Sequence, residues 1–211
     1  QSGFTVCAPY LRGYYPSDQA PDGRYDIAAV SADILELLDR LDFQNTVLVG
    51  HDWGAIIAAA CATQDVGRIE RTVLLSVPPV PTFTRGLMKH PSQFLRSRYM
   101  SYFQMGTLSE YLVARNDYAY IDTLWRRWSP DLELPIDHLA QVKAAFKQPG
   151  GLKAALSYYR ALVPFVSRHW RENWRLVNAE PQCPVTVGVG RNDGCIAPEM
   201  FAECPYPTTI I

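Results

Sequence analysis

Apolar residues recur along this chain with two periods, and their alternation outlines a fold. Ile27, Val30, Ile34, Leu37 and Leu41 return at helical spacing with Asp33, Glu36, Asp39 and Arg40 on the other side, which predicts an amphipathic helix of about 15 residues. Short apolar runs predict buried strands: Phe4-Thr5-Val6-Cys7-Ala8, Thr46-Val47-Leu48-Val49, Thr72-Val73-Leu74-Leu75-Ser76, and Pro184-Val185-Thr186-Val187-Gly188-Val189-Gly190. A small-residue helix that begins Ala55-Ile56-Ile57-Ala58-Ala59-Ala60 runs to about residue 64. Strands of this kind alternating with helices predict a mostly parallel sheet covered on both faces, the α/β class.

From about residue 80 to 175 the pattern changes. Aromatics, arginines and helical spacing dominate, and prolines at 91, 130, 135, 149 and 164 divide the stretch into several short helices. The expected organisation is a first part of an α/β core over 1–79, an all-helical cap over 80–175 and a second part of the core over 176–211. The chain opens at Gln1 almost directly in a strand and stops at Ile210-Ile211 without a closing helix. It is expected to be a fragment with an incomplete sheet.

One turn carries candidate chemistry. Gly50-His51-Asp52-Trp53-Gly54 lies between a strand and a helix, with the small-x-nucleophile-x-small pattern of a nucleophile elbow but Asp in the nucleophile's place. A carboxylate there attacks carbon and displaces a leaving group, which points to epoxides or alkyl halides rather than esters. Gly50 and Gly54 are expected to leave room where a Cβ would collide, and the following helix to aim its amides at Asp52. The plainer alternative is that Asp52 caps the helix.

Composition narrows the field. With 211 residues, 48% hydrophobic and 19% charged, the chain can bury one sizeable core. A net charge of −1 and no basic stripe argue against nucleic acid and anionic membrane as partners. No apolar run approaches the ~20 residues of a membrane span, and no signal peptide is visible. Five cysteines, never spaced Cys-x-x-Cys, suit reduced thiols and a cytoplasmic location, and make a metal site unexpected.

These segments together resemble the α/β-hydrolase superfamily, most closely its epoxide hydrolases and their haloalkane dehalogenase relatives. Ala8-Pro9-Tyr10-Leu11-Arg12-Gly13 through Ser17-Asp18 is similar to the loop after the fourth sheet strand, the elbow to that of both groups, and Gly190-Arg191-Asn192-Asp193 to the turn presenting the charge-relay acid. The resemblance implies two cap tyrosines that donate to the epoxide oxygen. Tyr99, before a Tyr-Phe-Gln stretch, and Tyr159, before Arg160, match them; Tyr102 and Tyr158 are the competing neighbours. A phenol of pKa about 10 can donate to a developing alkoxide while staying neutral at pH 7. Trp53 is read as cavity wall, its backbone N–H serving the oxyanion hole, whereas in a dehalogenase its indole would hold halide. Asp193 is read as the acid, although Asp-Gly after a strand is also an ordinary turn.

The implied ligand is a small-molecule epoxide, with no cofactor. Two parts of the family pattern are absent from this chain. None of the four histidines, His51, His90, His138 and His169, can be assigned as the base, and His51 is expected to point away from the cavity. No His-Gly-x-Pro loop is present either. The parent activity implied is therefore epoxide opening through an ester on Asp52, with a dehalogenase, or a chain that no longer turns over, as alternatives.

Overall fold

The computed structural model describes residues 3–133, 136–163 and 168–211. Gln1, Pro135 and Pro164 lie outside the described residues. Helix α1 (Ile27–Arg40) starts at Asp26, whose carboxylate accepts from the Ala29 amide, and packs on α2 (Trp53–Gln64). Strands β1 (Thr46–His51), β2 (Ile69–Leu75), β3 (Val185–Val189) and β4 (Thr208–Ile210) form one parallel sheet in that order. Between β2 and β3 the chain runs through α3 (Val80–Lys89), α4 (Ser92–Arg96), α5 (Arg98–Phe103), α6 (Thr107–Trp128), α7 (Ile136–Lys147), α8 (Gly151–Ala161) and α9 (Trp170–Asn178).

Helix α2 is apolar all round because it is buried on two sides. Ile57, Ala60 and Cys61 join Val30, Leu38 and Tyr158 in one cluster, while Ala55 and Ala58 join Leu74, Val187, Val189 and Met200 in another. A third cluster, with Phe103, Val113, Leu124 and Leu156, belongs to the helical stretch. No helix among the described residues is long and apolar enough to cross a membrane.

One local expectation needs correction, and two features were not foreseen. Residues 4–8 form no strand, and Phe4 and Val6 are exposed. An apolar run becomes a strand only where a neighbour completes its ladder, and this one has none among the described residues. The short strand β4 was not expected, since Thr-Thr-Ile is too brief to show a period. Helix α6 breaks without a proline: Arg115 is extended, and Asn116, Asp117 and Tyr118 take φ values of 50°, 52° and 59°.

Among the described residues β1 is paired on one side only. Its Thr46 amide donates to the Arg68 carbonyl at 2.8 Å and its Asp52 amide to the Leu75 carbonyl at 3.2 Å. Alternate residues of a parallel strand bond to opposite sides, so Val47, Val49 and His51 direct their backbone groups to the open edge. Val47 and Val49 are also exposed. Facing them across a hollow, residues 4–9 make no backbone hydrogen bond among the described residues.

Candidate active site

The elbow closes as the sequence pattern requires, with one exception. Asp52 has φ 53° and ψ −119°, a conformation that costs a non-glycine residue about 1–3 kcal/mol and persists only where its surroundings enforce it. A Cβ on Gly50 would sit 2.1 Å from the Gly54 carbonyl oxygen, so glycine is obligatory there. Gly54 is different: a Cβ would meet nothing within 4 Å, because the collision involves its backbone rather than its missing side chain. Asp52 makes no capping hydrogen bond, which leaves its carboxylate free of that role.

Asp52 borders a hollow of 1550 Å³ whose wall includes Tyr14, Trp53, Phe103, Trp128 and Tyr159. Burial raises the Asp52 pKa above the usual carboxylate range, the Trp53 amide and His51 work against the rise, and Asp193 adds to it. His51 is exposed and borders the hollow, which continues past the elbow along the edge of β1.

Tyr159 reaches the hollow from α8. Its ring meets that of Trp53 edge-on with centroids 5.3 Å apart. Tyr158, one residue earlier, is fully buried and donates its hydroxyl to the Arg12 carbonyl at 2.8 Å, so it anchors the loop after residue 9. Tyr102 packs on Tyr120 instead, at 5.1 Å. Tyr99 lies one layer behind, its ring 5.6 Å from Tyr159 and 5.0 Å from Trp128, and its hydroxyl 3.5 Å from the Cys195 sulfur. Burial, with the nearby charge of Asp52 among the smaller causes, raises the pKa of both Tyr99 and Tyr159, so both stay protonated donors at neutral pH.

Trp53 is 8% exposed and wedged between Tyr158 and Tyr159. Asp193 follows β3, and its carboxylate accepts from the amides of Cys195 at 2.8 Å and Ile196 at 3.0 Å. The helices grip this loop at three further points. Gln93, fully buried, donates to the Cys195 carbonyl at 2.8 Å and accepts from the Ala197 amide at 3.1 Å. Arg96 donates to the Asp193 carbonyl at 3.0 Å, and the Gly194 amide donates to the Trp128 carbonyl at 2.9 Å. Gln93 and Cys195 carry no local sequence signal for these contacts. Their partners lie 102 and 96 residues away in the chain.

Of the other histidines, His90 ends α3 and His138 packs on Trp125, while His169 lies beside Glu172 at 3.5 Å. Among the described residues no group of three or more His, Cys, Asp or Glu side chains could hold a metal ion.

Comparison with known proteins matches residues 1–200 to the alpha/beta hydrolase fold family. "Epoxide hydrolase 4" of Mus musculus is 31% identical over 166 residues, covering 76% of this chain and 46% of the relative. "AB hydrolase superfamily protein YfhM" of Bacillus subtilis is 31% identical over 163 residues, covering 76% and 57%. The chain thus spans about half the length of these curated relatives. A crystal structure of Bacillus megaterium epoxide hydrolase with an inhibitor superposes with a TM-score of 0.75 at 24% identity, over 95% of this chain and 73% of that one, a likeness of fold. The chain belongs to the alpha/beta hydrolase fold family, and it is similar there to epoxide hydrolases.

Proposed function

We propose that the protein opens epoxides through a covalent ester on Asp52. The observation that carries this reading is an Asp, not a Ser, at the tip of a strained elbow, bordering a hollow that Trp53 and Tyr159 also line. An Asp52 carboxylate oxygen attacks an epoxide carbon, the carbon–oxygen bond breaks with its electron pair on oxygen, and that oxygen takes a proton from a tyrosine hydroxyl. Tyr159 and Tyr99, in the cap over 80–175, are the proposed donors, and the resulting tyrosinate regains its proton from water. A water molecule then adds to the ester carbonyl, giving a diol and restoring the carboxylate. The Trp53 backbone N–H supports the oxyanion of that step, a contribution of about 2.7–4 kcal/mol for one such donor.

Asp193 is the proposed orienting acid for a base that is not among this chain's four histidines. The first half of the reaction is therefore expected without the second. Mixing the chain with styrene oxide should give one equivalent of bound substrate and no steady diol release. Sustained turnover of many equivalents would contradict this division of labour. Halide release from a haloalkane, with no reaction of the epoxide, would replace the reading by a dehalogenase.

A further inference from the structure

We propose that Cys195 is a positioning residue for Tyr99, its S–H donating to the phenol oxygen and so directing the phenol's own O–H toward the oxygen of a bound epoxide. The inference rests on the reading of Tyr99 as a proton donor given above. The sulfur lies 3.5 Å from the Tyr99 oxygen, within reach of a sulfur hydrogen bond. Its place is fixed from both sides of the residue: the Cys195 amide is held by the Asp193 carboxylate at 2.8 Å, and its carbonyl by fully buried Gln93 at 2.8 Å.

Sulfur suits this task chemically. A carboxylate in its place would accept the phenol O–H in a charge-assisted bond and hold it away from substrate. A thiol is a weak donor and a weak acceptor, so as a donor it orients the hydroxyl without the hold that a charged acceptor would exert. Burial raises the Cys195 thiol to about 12, which keeps the S–H in place at neutral pH. The Tyr99 ring is itself fixed by Phe103, Trp128 and Tyr159, leaving rotation of the O–H as the freedom that the thiol removes.

Infrared spectroscopy of the S–H stretch tests the contact, and ester formation tests its consequence. A wild-type minus Cys195→Ala difference spectrum isolates the Cys195 band, which should move to higher frequency in Tyr99→Phe. A band that does not move overturns the proposal. In Cys195→Ala the limiting rate of Asp52 esterification by styrene oxide should fall about five-fold, the effect of one hydrogen bond, with apparent substrate affinity unchanged. Cys195→Ser, which keeps a donor, should recover most of the loss. Wild-type rates in Cys195→Ala also overturn the proposal while leaving Asp52 as nucleophile. A shifted band with no ester on Asp52 in the wild type removes the functional reading and, with it, the role in catalysis.

Discussion

The two flanks of Asp52 are built in opposite ways. On one side the loop after β3 is held by Gln93, Arg96 and the Trp128 carbonyl, and by its own Asp193 carboxylate. On the other side, among the described residues, β1 presents an unpaired edge at Val47, Val49 and His51, and residues 4–9 face it with no backbone hydrogen bond. Asp52 sits where the two meet. The difference teaches that, among the described residues, polar contacts between the helices and the Asp193 loop hold one flank of the site, while the edge of β1 is without partners.

The largest expected effect falls on the held flank. A Cβ on Gly194 would sit 1.9 Å from the Arg127 carbonyl oxygen, a backbone atom that cannot swing aside. Gly194→Ala should cost about 4 kcal/mol or more, a large share of the 5–15 kcal/mol of a typical domain. Poor soluble yield or a greatly lowered urea midpoint would register it. Gln93→Leu comes next. It strands the Cys195 carbonyl and the Ala197 amide, at a cost of about 2–4 kcal/mol in urea unfolding.

Asp52 itself gives a smaller effect of opposite sign. Its folded pKa lies above the unfolded one, so the neutral form favours the fold. That contribution is fully present below the unfolded pKa and is lost as pH rises through the raised folded value. Asp52→Asn should therefore raise thermal stability at pH 7, by on the order of 1 kcal/mol or about 2–4 °C. Esterification runs the other way, since only the carboxylate attacks. Its rate should climb with pH through that same raised pKa and level off above it.

The smallest effects belong to the open flank. Val47→Lys should change stability by no more than about 0.5 kcal/mol, because the side chain already meets solvent. Hydrogen exchange sharpens the contrast: the Val47, Val49 and His51 amides should exchange fast and those of Leu48 and Gly50 slowly. Equal protection along β1 would mean that its open edge is covered.

The elbow was legible because its chemistry is local: strand, Gly50, Asp52 and helix lie within a few residues. The helices α1 and α2 were legible from period and composition. The strand expected over residues 4–8 was not realised, since apolarity invites burial but pairing needs a neighbour. Gly54 shows the same limit, as its freedom follows from the path of the turn and not from its residue type. The grip of Gln93 and the placing of Cys195 beside Tyr99 join residues about 100 positions apart. No spacing separates Tyr158 from Tyr159; the rotation of α8 sends one hydroxyl to the Arg12 carbonyl and brings the other residue to the hollow.

Peptide mapping by mass spectrometry after exposure to styrene oxide tests the central claim most directly. The account predicts one adduct, an ester on Asp52 in the peptide carrying Gly50-His51-Asp52-Trp53-Gly54, absent from Asp52→Asn. An unmodified Asp52, or an adduct confined to cysteine thiols, would contradict it.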